Sequence, residues 1–214
     1  MDPQPVTSVF FDWDGTLCDS GPASLRAFRK SLGDFGVTFT DDQYKKVYTP
    51  RWYRMYEALG LPNSCWRAAD ERWLVHYQQE EPGLVPGASQ VLDWLRAHSV
   101  EIGVVTNGTR RRVERELNRL GLAGAFRAVV CCEDVVERKP HPEGLHKALH
   151  LAGCGEKPSC YVGDTAEDVR MGKNAGVFTV GVLTEYVDRA GLEACAPDVL
   201  LETIADLPAH LTPA

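Results

Sequence analysis

Short apolar runs alternate with amphipathic stretches along most of this chain of 214 residues. The apolar runs have the length and bounding residues of strands, and the stretches between them carry apolar residues at helical spacing. The predicted strands are Val6–Phe11, Glu101–Thr106, Phe126–Cys131, Ser159–Gly163 and Val177–Leu183. The predicted helices are Ala88–His98, Thr109–Leu120, Pro142–Leu151 and Ala166–Ala175. Strands alternating with helices predict the α/β class, here a doubly wound parallel-sheet (Rossmann-like) core with helices on both faces.

Residues 17–86 break this rhythm, because no β-rich run occurs among them. Leu25, Phe28 and Leu32 form one helical stripe, which is typical of an amphipathic helix. Pro-Gly pairs at 82–83 and 86–87 indicate turns at the end of the segment. We therefore expect an all-helical domain inserted after the first strand. The predicted domains are a Rossmann-like core of residues 1–16 and 87–214 and a helical insert of residues 17–86.

Composition narrows the range of partners. The net charge of −7 and the pI near 5.4 argue against binding to nucleic acid and to an anionic membrane surface. The N-terminus lacks the basic region of a signal peptide, and no apolar run is long enough for a membrane helix. The seven cysteines show no zinc-binding spacing, which favours reduced thiols in a cytoplasmic protein. The pattern leaves monomer and homodimer equally open.

The first predicted strand ends in two carboxylates, Asp12 and Asp14, followed by Gly15 and Thr16. Residues two apart on extended chain face the same side, so these carboxylates repel unless a cation or a shared proton lies between them. Gly15 permits a sharp turn, and Thr16 can bond back to it. A polar strand end that leads to a helix N-cap is the alternative for this segment taken alone.

Three later segments also carry polar groups that suit a reactive site. Thr106 and Asn107 follow the second strand, Lys139 precedes Pro140 in a loop, and Asp164 and Asp168 follow the strand that ends at Gly163. In order and residue type, the four segments resemble the motifs of the haloacid dehalogenase-like superfamily over about residues 6–183. The phosphoglycolate phosphatase-like branch is the most similar. The resemblance implies a central strand ending at Asp12 and a helical cap in the position of residues 17–86.

Asp12 is the expected nucleophile, because a carboxylate can attack phosphorus and form an aspartyl-phosphate. A divalent cation would relieve the repulsion between that carboxylate and a phosphate dianion. We expect Mg²⁺, held by the carboxylates of Asp12 and Asp164 and by the backbone carbonyl of Asp14. Asp168 lies one turn beyond Asp164, where it can bond a water on the metal or orient Lys139. Asp14 is the expected general acid and base.

Thr106, Asn107 and Lys139 are the expected phosphate ligands. The threonine hydroxyl and the Asn107 amide can donate to phosphate oxygens, and the lysine ammonium neutralises both nucleophile and phosphate. Lys139 is therefore counted as a catalytic residue as well.

These residues predict a magnesium-dependent phosphatase that acts on a small phosphorylated metabolite. A sugar phosphomutase similar to β-phosphoglucomutase would use the same two aspartates, and a catalytically silent ligand-binding protein could share the fold. The sequence does not identify the substrate, because the insert would determine it.

Two groups of arginines have competing interpretations. Arg110, Arg111 and Arg112 could enrich anions near the site, but a solvated charge run is the favoured interpretation. In the insert, Arg51 and Arg54 are candidates for reading the substrate. A buried aromatic stripe flanked by exposed arginines is the favoured alternative there.

Overall fold

The computed structural model describes residues 2–49, 52–155, 158–187 and 189–214. The chain divides into two compact units. One combines Met1–Asp19 with Gly83–Ala214, and the other is Ser20–Pro82.

The described strands all belong to the first unit. In chain order they are β1 (Gln4–Val6), β2 (Ser8–Phe11), β3 (Glu101–Val105), β4 (Ala128–Val130), β5 (Ser159–Gly163), β6 (Phe178–Val182), β7 (Val199–Leu201) and β8 (Leu211–Pro213). Six of them form one sheet in the order β4-β3-β2-β5-β6-β7, and every neighbouring pair is parallel.

The described α-helices occur in both units. Those of Ser20–Pro82 are α1 (Gly21–Gly33), α2 (Asp41–Val47), α3 (Trp52–Ala58) and α4 (Trp66–Tyr77). Those of the first unit are α5 (Ala88–Ala97), α6 (Arg110–Arg119), α7 (Glu143–Ala152), α8 (Ala166–Asn174) and α9 (Arg189–Ala194). Short 3₁₀ segments occur at Asn63–Cys65, Cys132–Asp134 and Ile204–His210.

The six-stranded sheet is covered on both faces. Val9 and Phe11 of β2 belong to an apolar cluster that includes Leu92 and Leu95 of α5 and Val113 and Leu117 of α6. Phe10, between them, points to the other face, and its cluster includes Leu145 and Leu149 of α7 and Met171 of α8. Successive strand residues face opposite sides, so buried neighbours such as these require helices on both. The doubly wound parallel α/β core is confirmed.

The predicted strand Val6–Phe11 is wrong at its first residues. The extended chain divides at Thr7, whose backbone N–H donates to the Pro158 carbonyl at 2.9 Å. Gln4–Val6 pairs instead with β8 in a separate parallel two-stranded sheet. The pattern of apolar residues could not reveal this division, because Val6 and Val9 are both fully buried.

The described elements of Ser20–Pro82 are helical. α1 packs against α4, and the ring of Phe28 lies within 6.1 Å, centroid to centroid, of the rings of Phe39, Tyr44 and Tyr56. This aromatic cluster gives the unit its own apolar core.

No described helix has the length and apolar character needed to cross a membrane. All seven cysteines lie among the described residues, and each is a free thiol.

Candidate active site

The polar strand ends meet at one edge of the sheet. β2 lies between β3 and β5, so Asp12 follows the central one of three neighbouring strands, with Thr106 and Asp164 after the flanking two. The Asp12 backbone N–H donates to the Val162 carbonyl at 2.9 Å, which continues the β2–β5 pairing into the site. The carboxyl edge of a parallel sheet is where ligands bind in such folds. All three side chains are buried.

Three buried carboxylates form a compact cluster at this edge. Asp12, Asp164 and Asp168 each offer an oxygen, and these oxygens lie within 4.8 Å of one another. In the described part of the chain, this is the group whose geometry could hold a metal ion. Like charges this close require a cation or a shared proton among them.

The Lys139 ammonium supplies one positive charge. It donates to Oδ1 of Asp12 at 2.5 Å and to Oδ1 of Asp168 at 2.7 Å, and its side chain is only 5% exposed. Burial alone would lower the pKa of Lys139, but the charges of Asp12 and Asp168 raise that pKa above its usual range. The lysine is therefore held in its charged form beside the expected nucleophile.

One lysine does not neutralise the cluster. Burial raises the pKa of Asp12 to about 7. The Lys139 ammonium opposes this rise, whereas the charges of Asp168 and Asp14 add to it. Burial and the charges of Asp12 and Asp168 likewise hold the pKa of Asp164 well above its usual range. Both pKa values rise chiefly because burial penalises an ionised carboxylate, and the neighbouring aspartates add to the rise.

Asp168 is fixed by its own helix. It stands at the third position of α8, where Oδ2 accepts hydrogen bonds from the backbone N–H of Thr165 at 3.0 Å and from its hydroxyl at 2.5 Å. Its Oδ1 accepts from Lys139 and from the Tyr161 hydroxyl, the latter at 3.2 Å. This capping box satisfies backbone donors of the helix while holding a carboxylate against the lysine.

The turn after β2 depends on a glycine. Gly15 has a φ of +81°, and a Cβ there would collide with the Asp164 carboxylate. The Thr16 hydroxyl donates to the same carboxylate, at 3.4 Å. A positive φ and a close neighbour together exclude other residues from this position.

The expected phosphate ligands share a cavity. Thr106, Asn107 and Lys139 all line it, together with Arg138, which the sequence did not indicate. The Thr106 Oγ1 also accepts a hydrogen bond from the Gly108 N–H at 2.9 Å, which orders the loop after β3.

The loop that carries Lys139 is held by Glu143, another residue without a recognisable signal in the sequence. Its carboxylate accepts hydrogen bonds from the backbone N–H groups of Val136, at 3.0 Å, and Glu137, at 2.8 Å. These bonds hold the pKa of Glu143 below its usual range. The start of α7 thus fixes the loop just before the lysine.

The Asp14 side chain lies outside the carboxylate cluster. Its two oxygens accept from the guanidinium of Arg112, which is 12% exposed. Arg112 also bonds Glu116, whose Oε2 accepts from the Trp13 indole N–H at 2.7 Å. The interpretation of Arg112 as part of a solvated charge run is therefore wrong. Its i, i+4 spacing to Glu116, beside the buried Val113 and Leu117, was the available signal.

The two arginines of the insert remain candidates only. Arg51 lies outside the described residues, and Arg54 is exposed on α3.

Comparison with known proteins agrees with this geometry. The family model for haloacid dehalogenase-like hydrolases matches residues 9–182. Pyrophosphatase PpaX of Bacillus velezensis is 31% identical over 216 residues, which cover 99% of each chain. A haloacid dehalogenase-like family hydrolase from Streptococcus pneumoniae superposes with a TM-score of 0.82 at 22% identity, covering 95% of this chain and 97% of that one. CbbY from Rhodobacter sphaeroides, solved with phosphate, gives 0.75 at 22% identity, covering 94% and 96%. The last two likenesses show the fold alone. The chain belongs to the haloacid dehalogenase-like hydrolase family.

Proposed function

We propose that this hydrolase is a magnesium-dependent phosphatase that forms an aspartyl-phosphate on Asp12. The buried group of Asp12, Lys139, Asp164 and Asp168 at the carboxyl edge of the sheet carries the proposal. Nucleophile, cation and metal-binding oxygens are the parts that phosphoryl transfer to a carboxylate requires.

The donor set fits magnesium. All candidate ligands are hard oxygens. Burial and the neighbouring aspartates raise the pKa values of Asp12 and Asp164, and a bound divalent cation would favour their ionised forms. In this proposal Asp12, Asp164 and the backbone carbonyl of Asp14 hold the ion. When bound, the ion supplies the charge that lets a carboxylate approach a phosphate dianion.

Asp168 orients Lys139 in this proposal rather than binding the ion. Its two oxygens already accept hydrogen bonds from Thr165, Lys139 and Tyr161. A side chain so restrained holds the ammonium in position against Asp12, which is consistent with the role expected from its place on α8.

The chain's own groups perform the remaining steps. Thr106, Asn107 and Lys139 hold the phosphoryl oxygens while an Asp12 oxygen bonds to phosphorus and the ester bond breaks. Asp14 gives a proton to the leaving oxygen. It then takes a proton from the water that hydrolyses the aspartyl-phosphate.

We propose a small phosphorylated metabolite as the substrate. Inorganic pyrophosphate is a specific candidate, because the relative with 31% identity over 99% of the chain is named a pyrophosphatase. The free thiols favour a cytoplasmic location. We further propose that residues 17–86 act as the cap that selects the substrate, with Arg51 and Arg54 as selecting side chains.

Phosphate release tests the function. The protein should release phosphate from pyrophosphate or from a phosphomonoester in a metabolite panel with magnesium, and not with a chelator. Asp12→Asn should abolish the release, while Asp93→Asn, the same change at an exposed site on α5, should not. The absence of release from the whole panel would contradict a phosphatase. Isomerisation of a sugar phosphate without net release would favour the mutase.

A further inference from the structure

Helix α6 contributes two charged side chains to the loop that follows β2. Arg112 donates from Nη1 to Oδ1 of Asp14 at 2.8 Å and to Oε2 of Glu116 at 3.2 Å, and its Nη2 pairs with the second Asp14 oxygen. The Trp13 indole donates to the same Glu116 oxygen at 2.7 Å. Trp13 and Glu116 are fully buried. A connected polar network in a low-dielectric interior is rigid and costly to break.

The position of Arg112 depends on the loop after β3. A Cβ at Gly108 would collide with the guanidinium, so this glycine leaves the room in which Arg112 lies. The same loop carries Thr106 and Asn107. Arg112 therefore lies against both the segment that carries Asp14 and the loop that carries Thr106 and Asn107.

Proton transfer places a strict demand on Asp14. The carboxylate must reach hydrogen-bond distance of the leaving oxygen, and its two side-chain torsions would otherwise allow several orientations. A guanidinium fork fixes the plane of a carboxylate by bonding one lone pair on each oxygen, which a single ammonium cannot do. The second lone pair of each oxygen stays available to carry the proton.

We propose that Arg112, supported by Glu116 and Trp13, is the positioning residue for Asp14, and that it is needed for substrates with poor leaving groups. The inference rests on the proposed function, in which Asp14 is the acid and base. Alkyl phosphate esters need a proton on the leaving oxygen, whereas an aryl phosphate such as p-nitrophenyl phosphate needs little.

The leaving-group dependence of Arg112→Gln tests this role. We expect kcat/KM for an alkyl phosphate to fall about 100-fold and that for p-nitrophenyl phosphate to change by less than about threefold. Arg111→Gln makes the same charge change at the exposed neighbouring position and should leave both values near wild type. Equal slowing of both substrates, or no slowing, would overturn the inference.

A double variant separates positioning from independent catalysis. If Arg112 acts through Asp14, Asp14→Asn/Arg112→Gln should hydrolyse the alkyl ester as fast as Asp14→Asn alone. If the double variant instead lost activity by the product of the two single-variant factors, the inference would be overturned.

Arg112→Lys covers the case in which Arg112→Gln fails to fold. It keeps a positive charge beside the buried Glu116 but loses the fork, so we expect kcat/KM for the alkyl ester to fall about tenfold relative to the aryl ester. A ratio of alkyl to aryl kcat/KM equal to that of the wild type would overturn the inference. Wild-type protein inactive on both esters and on pyrophosphate would instead contradict the proposed function.

Discussion

Asp12 is the residue on which the proposed chemistry depends most directly. It is buried, bonded to Lys139 and within 4.8 Å of two further carboxylates. Asp12→Asn should keep the fold, because an amide fits the same space, and should lower kcat by at least about 1,000-fold, because an amide cannot attack phosphorus. Phosphate release measures the loss of activity, and circular dichroism checks that the fold is kept. Wild-type rates in this variant would refute a covalent intermediate on Asp12.

The loss of activity on replacing Asp14 should be larger for substrates with poorer leaving groups. Asp14→Asn keeps the shape but removes the transferable proton, so alkyl phosphates should slow by about 100-fold to 10,000-fold and an aryl phosphate far less. The measurement is kcat/KM for each ester. A uniform loss would instead give Asp14 a structural or metal-binding role.

The sequence identified the motif residues but not the network behind them. Arg111 and Arg112 are the same residue type on the same helix, yet Arg111 is exposed and Arg112 is paired with Asp14. What distinguishes them is the direction in which each faces on α6 and the space above Gly108, and both arise only when α6 packs on the sheet. The i, i+4 spacing of Arg112 to Glu116 indicates the pair within α6, but the local pattern carries no information about the contact with Asp14.

At the scale of single elements, the turn after β2 is the most constrained segment of the site. Gly15→Ala would place a Cβ at a positive φ and against Asp164, so we expect a loss of about 1–3 kcal/mol in the free energy of unfolding and a large loss of activity. Chemical denaturation and phosphate release measure the two effects. Gly36→Ala is a useful control, because that φ is +74° but a Cβ there meets nothing within 4 Å. Equal effects at the two glycines would mean that contact with Asp164 is unimportant.

The loop that carries Lys139 offers a second test at this scale. Glu143→Gln removes the charge that strengthens two backbone hydrogen bonds, from Val136 and Glu137. We expect faster hydrogen exchange at those two amides and a kcat about two- to tenfold lower, because the lysine is less well held. Glu101→Gln, at the exposed start of β3, is the matched control. Unchanged exchange would show that the loop does not depend on Glu143.

Elements with strong local patterns were predictable, and those made by distant pairing were not. β5 was predicted with both of its ends, because the run from Ser159 to Gly163 is buried throughout. β1 and β8 pair across almost the whole chain, and neither has a local pattern that indicates the partner. No strand was predicted at β7, because a run of three residues is too short to indicate one, and β7 pairs with β6.

At the scale of the whole molecule, alternation of strands and helices was sufficient for the fold class, because a parallel sheet requires a crossover between its strands. The order of strands then brings Asp12, Thr106 and Asp164 to one edge. The role of residues 17–86 as a cap stays a prediction, since it concerns how the two compact units act together.

The charge deficit of the core makes metal binding and stability depend on pH together. The pKa of Asp12 is raised from 3.8 to about 7, so between those values the folded metal-free protein keeps a proton that the unfolded chain has lost. The folded state thus binds more protons, and its free energy of unfolding falls as pH rises through this window, then levels off above about 7. Magnesium competes with that proton, because it needs the ionised carboxylate.

We therefore expect the increase in Tm on adding magnesium to be larger at pH 7.5 than at pH 5.5. The apparent affinity should fall about tenfold per pH unit below the pKa of Asp12 if one proton is displaced. Thermal denaturation with and without the ion, at both pH values, measures the effect. Asp12→Asn should shrink both the increase and its pH dependence, whereas Asp93→Asn, exposed on α5, should leave them unchanged. An equal increase in Tm at both pH values would mean that magnesium binds without displacing a proton from this cluster. The raised pKa of Asp12 would then have no bearing on magnesium binding.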